Sequence, residues 1–206
     1  YEEASHYILN YQLLADDRSF RVETYYKTYD KLLISGQELS VDGFGDAYGI
    51  DLFWRDKKTI KNADYWISYS YLDTKRKYLY YPEEVMPDYA IRHSLSTVYK
   101  QFIPAISSSF GITYVYGSGR PYYNPNNEDF MSDRTQDYHN LSFNMSWLRM
   151  KGNNFWVFTA SLSNILGFDN VYGYHYTPDG MNRIAIKDPA KRTIFLGIFI
   201  SLGRDN

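Results

Sequence analysis

Four histidines, His6, His93, His139 and His175, are the side chains of this sequence best suited to proton transfer or metal ligation near neutral pH. None stands at i, i+4 from another and none adjoins a candidate nucleophile, so their spacing fits neither a helical zinc pair nor a Ser–His couple. Ser118 lies in Gly117-Ser118-Gly119, which lacks the following helix that a nucleophile elbow or a phosphate-cradling loop requires. It reads as a strand-to-loop exit, with glycine permitting the turn. His175 and Asp169 could share one end of the molecule, but no serine motif accompanies them. Cysteine is absent, which removes thiol catalysis, disulfides and cysteine-ligated zinc together. We expect no catalysis and no cofactor.

Binding is the more productive reading of the polar residues. Glu128, Asp129, Asp133 and Asp137 fall in one connection and could offer hard oxygen ligands to Ca²⁺, although EF-hand spacing is missing. Glu128, Asp129 and Asp133 stand as weak metal candidates beside the plainer reading of solvated loop charge. Lys75, Arg76 and Lys77 open another connection, and Lys187, Lys191 and Arg192 precede the last apolar run. These cations could pair across a mouth or bind phosphates of a lipid surface. Tyrosine supplies rigid contact area with a polar tip. Tyr78, Tyr80, Tyr81, Tyr122, Tyr123, Tyr172, Tyr174 and Tyr176 are all placed in connections.

The elements that must position these residues follow a period of two. Leu141, Phe143, Met145 and Trp147 alternate with Asn140, Ser142, Asn144 and Ser146, giving one apolar and one polar face. Tyr65, Ile67, Tyr69 and Tyr71 do the same against Ser68 and Ser70, as do Phe20, Val22, Thr24 and Tyr26 against Arg21, Glu23 and Lys27. The pattern predicts nine strands, over residues 4–14, 19–34, 42–55, 63–76, 90–102, 106–117, 136–149, 154–166 and 190–202. Connections alternate between short ones, such as Ala15-Asp16-Asp17-Arg18 and Met150-Lys151-Gly152-Asn153, and longer ones near 35–41, 77–89, 118–135 and 167–189. Helical stripes are almost lacking, and Pro82, Pro87, Pro121 and Pro125 fall in connections.

Composition selects among all-β classes. Aromatics make up 19% of the 206 residues, with 23 Tyr, 12 Phe and 4 Trp, and such rings favour boundaries that are apolar on one side and wet on the other. A net charge of −2 without a basic stripe argues against a nucleic-acid partner. No window approaches the roughly 18 apolar residues of a spanning helix. A spanning β-strand needs only about 9–11 residues with one apolar face, so a mean hydropathy of −0.50 is compatible with a membrane barrel. The fold class expected is all-β: an antiparallel transmembrane barrel in which short turns face the periplasm and long loops face outward. No charged and apolar leader opens the chain at Tyr1-Glu2-Glu3.

Several stretches resemble the C-terminal barrel portion of TonB-dependent outer-membrane receptors. They are Phe20-Arg21-Val22-Glu23-Thr24-Tyr25-Tyr26-Lys27, Tyr65-Trp66-Ile67-Ser68-Tyr69-Ser70-Tyr71-Leu72-Asp73, Ser118-Gly119-Arg120-Pro121-Tyr122 and Ser163-Asn164-Ile165-Leu166, together with the closing run Arg192 to Leu202. That run is similar to the terminal signal read by the barrel assembly machinery, with Gly197, Ile200 and Leu202 matching. Phe195 departs from it, and Gly203-Arg204-Asp205-Asn206 lacks a terminal aromatic. The resemblance implies an N-terminal plug, a TonB-contacting segment and a barrel of about 22 strands. Residues 1–206 are then expected to be the C-terminal part of the barrel, with plug and earlier strands upstream.

The function so implied is TonB-dependent import of a nutrient ligand across the outer membrane, with capture at the extracellular mouth. The expected ligand-contacting residues are Tyr80, Tyr81, Arg120, Tyr122, Tyr123, Tyr174 and Tyr176. The expected partners are outer-membrane lipid and lipopolysaccharide, TonB through the upstream region, and a surface lipoprotein. Two rival architectures fit the same alternation: a smaller closed barrel independent of TonB, and a soluble tyrosine-rich β-sandwich that buries its apolar alternates between two sheets.

Overall fold

The computed structural model describes residues 1–36 and 38–203. Nine strands form one antiparallel meander: β1 (Glu3–Ala15), β2 (Arg18–Ser35), β3 (Leu39–Asp56), β4 (Ala63–Lys77), β5 (His93–Ile103), β6 (Ser108–Gly117), β9 (Tyr138–Lys151), β10 (Asn154–Ser163) and β13 (Thr193–Ser201). Each strand pairs with the next of the nine, and the sheet is open, with β1 and β13 at its edges. This is an all-β partial barrel wall. Among the described residues the nine strands make one sheet, and the two others have only two short strands each, so neither is the face-packed leaf a sandwich requires.

All nine strands predicted by the alternation are present, and most boundaries agree within two or three residues. The longer loop expected near 35–41 is instead a short connection, because β2 and β3 pair out to Ser35↔Leu39. The sequence reading missed four short strands inside the long loops: β7 (Pro121–Tyr122), β8 (Asp133–Arg134), β11 (Gly173–Tyr176) and β12 (Arg183–Ile186). Two or four residues are too few to show a period. Arg204, Asp205 and Asn206 of the terminal tail lie outside the described residues.

Register places side chains on two chemically distinct faces. Directly opposed partners share a face, so Val22↔Leu52, Leu52↔Tyr69 and Tyr69↔Leu95 extend one apolar surface across four strands. The other face carries Ser68↔Ser96, Gly111↔Asn144 and Asn144↔Ser161. At Gly111 the reason for glycine is spatial, since a β-carbon there would collide with the Asn144 amide lying over it. Gly49 likewise leaves room for the Tyr25 ring.

The apolar face is bordered by two belts of rings. Near the long loops run Tyr7 and Tyr26 (6.5 Å between centroids), Tyr48 and Tyr71 (6.4 Å), and Tyr71 and His93 (5.2 Å). Tyr116 and His139 (5.3 Å) continue the same belt. Near the short turns run Trp54 and Tyr65 (5.4 Å), Tyr65 and Tyr99 (6.1 Å), and Trp147 and Phe158 (5.3 Å). On β4 the belts are six residues apart, Tyr65 to Tyr71, or about 20 Å at the rise of an extended strand. Between them lie aliphatic residues, among them Ile67 and Ile112, both exposed. An exposed aliphatic band flanked by aromatic girdles is what a lipid-facing barrel wall requires, and the band expected there is about 25 Å tall.

Burial is concentrated elsewhere. Tyr81, Met86, Ala90, Tyr122, Met131 and Val171, most of the buried apolar residues, belong to the long loops. The core of this chain therefore sits at one end of the sheet.

Candidate functional site: the cavity between the long loops

Three long connections, residues 78–92, 118–137 and 164–192, fold against one another at that end. Tyr81 is only 3% exposed, and its ring packs edge-on against Tyr78 (4.9 Å), Tyr80 (5.3 Å) and Phe130 (5.2 Å). Its hydroxyl accepts a hydrogen bond from the Asp88 backbone N–H at 3.4 Å. Burial raises the Tyr81 hydroxyl well above the ordinary tyrosine range, with the nearby Asp88 charge adding to the shift. Phe130 in turn meets Tyr123 at 5.5 Å. One buried ring thus joins the first loop to the second.

The second and third loops are joined by a different device. Tyr122 on β7 lies 4.7 Å from Tyr174 on β11, and Arg183 on β12 sits over the Tyr174 ring at 4.2 Å. From there its Nη1 donates to the Tyr122 hydroxyl at 2.9 Å. Pairing of β11 with β12 carries Arg183 back to the side chains it holds. Asn126 Nδ2 donates to the Gly180 carbonyl at 2.8 Å, adding a second tie. Tyr172 donates to Asp188 at 2.6 Å. Burial first, then that carboxylate, lifts its pKa above the ordinary range.

These ties enclose a cavity of about 680 Å³, within the range of small-molecule sites. Of the seven expected ligand-contacting residues, six line it: Tyr80, Arg120, Tyr122, Tyr123, Tyr174 and Tyr176. Tyr81 does not line it, and stands behind the wall as the support just described. Tyr80 and Tyr123 remain 65% and 52% exposed, so their faces are free for a ligand. The sequence reading missed Asp88, Tyr89, Met131 and His175 in the lining. The first two follow Pro87 in the same connection as Tyr80, and that shared loop was the available signal.

The other candidates have separate fates. Asp133 accepts from Asn124 Nδ2 at 2.5 Å, and Asp137 accepts from the Tyr116 hydroxyl at 3.0 Å. Among the described residues no three acidic or histidine side chains converge as a metal site, so Glu128, Asp129 and Asp133 form no ligand cluster. His93 and His139 stack in the outer belt, where their Nδ1 atoms lie 2.9 Å from the Tyr69 and Tyr114 hydroxyls. Ser118 ends the strand as expected, its Oγ accepting from the His93 backbone N–H. Lys191 pairs with Asp169 at 2.9 Å, Arg192 donates to the Asn164 carbonyl, and Arg76 lies over Tyr29 at 4.0 Å.

Solved structures share this fold. The chain superposes on the ferric yersiniabactin uptake receptor FyuA of Yersinia pestis with a TM-score of 0.74 and 15% identity, over 97% of this chain and 29% of that one. The outer membrane transporter YddB of Escherichia coli matches with a TM-score of 0.70 and 14% identity, over 96% and 32% of the two chains. The FrpB iron transporter of Neisseria meningitidis gives 0.70 and 10%, over 97% and 30%. The fold is that of part of an outer-membrane transporter barrel. The chain spans about three-tenths of the length of these structures, which agrees with the open sheet. No family model matches the chain, and no curated protein matches it.

Proposed function

We propose that this chain is the C-terminal wall and part of the ligand-binding mouth of a TonB-dependent outer-membrane receptor that imports a nutrient. The observation that carries the reading is one of placement. The cavity holding six of the expected contact residues opens among the long loops, beyond the outer aromatic belt of an exposed apolar wall. In that orientation the long loops are extracellular and the polar face lines the lumen. Rings and hydroxyls of Tyr80, Tyr122, Tyr123, Tyr174 and Tyr176 offer stacking surface and hydrogen bonds, and Arg120 offers a positive charge. The chain contributes capture and wall, while energy coupling belongs to a plug and a TonB-contacting segment upstream. A surface lipoprotein is a further proposed partner at the loops.

The test begins with fractionation of cells expressing the full-length gene. An outer-membrane band whose gel mobility shifts on boiling is expected of a closed barrel. Recovery in the soluble fraction with no shift would overturn the assignment. Uptake of a bound nutrient should cease in cells lacking TonB, and persistence there would assign the protein to passive barrels. Tyr80→Ala and Tyr123→Ala should each weaken ligand binding by about tenfold, as for aromatic contact residues.

A further inference from the structure

We propose that the cavity takes a zwitterion of short-peptide size, its ammonium group held at Asp88 and its carboxylate at Arg120. The proposal rests on the receptor reading above and names the class of ligand that the mouth admits. With histidine neutral, Asp88 and Arg120 are the two formal charges in the cavity lining. Both are held by their backbone: the Asp88 N–H donates to the Tyr81 hydroxyl at 3.4 Å, and the Arg120 N–H donates to the Thr135 hydroxyl at 3.0 Å. The Thr135 N–H returns a bond to the Arg120 carbonyl at 2.9 Å. Tyr81 and Thr135 are both buried, so each charge is carried on backbone fixed in the loop core. Among the described residues neither the Asp88 carboxylate nor the Arg120 guanidinium has an ion pair or a hydrogen bond, and the two do not reach each other.

That isolation is selective. Arg183, Asp133, Asp179 and Asp188, close to the lining, are each answered within the loops, by Tyr122, Asn124, Thr177 and Tyr172 in turn. Arg120 is half-buried, and an ionised group drawn from water without a partner is costly. A carboxylate brought by the ligand would answer it through two parallel hydrogen bonds. Asp88 is exposed, and the Tyr80 ring, 65% exposed, lines the same cavity. Arg76 already meets the Tyr89 ring at 5.9 Å, which leaves the Tyr80 face for an ammonium. A ligand with one charge would answer one of the two residues and leave the other bare. Asp88 and Arg120 stand on different loops and do not touch, so the two ligand groups must stand apart, as the termini of a peptide do and the groups on one α-carbon do not. The volume of about 680 Å³ agrees, and Met131, Ile186 and the tyrosine rings offer a wall to uncharged side chains.

The full-length protein should be purified in detergent and examined by native mass spectrometry with a tripeptide pool prepared with free termini, N-acetylated, C-amidated, or blocked at both ends. A pool of free amino acids at the same total concentration is the remaining probe. We expect wild type to retain the free tripeptides at least about tenfold better than either singly blocked form. Asp88→Asn should retain the free and N-acetylated pools equally while still rejecting C-amidation. Arg120→Gln should retain the free and C-amidated pools equally while still rejecting N-acetylation. Equal retention of the free and doubly blocked pools by wild type, or retention of neither, would overturn the zwitterion site. Retention of free amino acids as good as that of the tripeptides would overturn the peptide size. The boiling-dependent mobility shift is recorded on the same samples. Its loss in wild type would overturn the barrel reading itself, whereas an intact shift without discrimination among termini refutes the ligand class and leaves the receptor reading in place. An intact shift in both variants confines their effects to the cavity.

Discussion

The two ends of the sheet are held by opposite means. At the short-turn end, order comes from carboxylates: Asp64 accepts two hydrogen bonds from Arg55 across the β3–β4 turn, and Asp56 gathers four. Asp56, the last residue of β3 and two residues past the Trp54 ring of the inner belt, is 2% exposed. It accepts from the backbone N–H groups of Lys58 and Thr59 at 2.7 and 2.8 Å, from the Thr59 hydroxyl at 2.7 Å and from Arg18 Nε at 2.8 Å. It thereby closes the β3–β4 turn on itself and ties it to the start of β2. At the long-loop end, order comes from rings: Tyr81 under the first two loops, and Tyr122, Tyr174 and Arg183 between the second and third. A short turn can satisfy its backbone donors with one acceptor. Loops that run for fifteen or more residues must bury apolar area to recover the entropy of ordering them, so they carry a core of their own.

Removing the central ring should break this contrast most. Tyr81→Ala is expected to cost about 3–5 kcal/mol of loop stability, as for a buried aromatic in a core. The check is a steep rise in protease cleavage within residues 78–92 and 118–137, with the boiling-dependent mobility shift intact. Equal loosening of wall and loops would mean that the two ends are one cooperative unit.

Asp56→Ala should act in the reverse sense, lowering the temperature at which the folded band converts to the unfolded one while leaving ligand binding unchanged. Its pH dependence sharpens the point. Hydrogen bonds from Thr59 lead the causes that hold the folded Asp56 carboxyl well below the ordinary range. Its contribution is therefore complete above the unfolded value of about 4 and is lost as pH falls below that toward the folded value. Acid should loosen the turn end first. Tyr81 and Tyr172 are raised, so their contribution is complete below the unfolded value of about 10 and is lost as pH climbs above it. Alkali should loosen the loop end first, as read by proteolysis at each end across pH 2 to 12. The Asp56→Ala variant should weaken the acid arm and leave the alkaline arm unchanged.

Tyr122→Phe is the mildest probe. It keeps the ring packed against Tyr174 and removes the hydroxyl that Arg183 reaches. We expect a roughly three- to tenfold loss of protection in the third loop, the scale of a single hydrogen bond. No change would show that the ring contact alone holds the clasp.

The wall was legible in the sequence because a strand exposes its environment residue by residue. Leu141, Phe143, Met145 and Trp147 announce one apolar face without reference to any partner, and the register bears this out down to the opposed pair Phe143↔Leu162. Much of the cavity was legible too, because tyrosines in connections between such strands have few other places to go. The division of labour among them was not. Tyr80 and Tyr81 are adjacent and identical in type, yet one is open to solvent and the other is the buried support. Arg183 gave no signal, since its role depends on a four-residue hairpin turning it onto Tyr122 and Tyr174. Asp56 read as one more charged turn residue until Thr59 and Arg18 closed on it.

What the sequence determined by itself is therefore the strand set, the two faces and the alternation of short and long connections, all of which follow from local periodicity and turn chemistry. Which tyrosine lines the cavity and which supports it from behind was decided only by tertiary structure. Loop residues acquire their burial and partners from chain segments far away in sequence, and no local period encodes that.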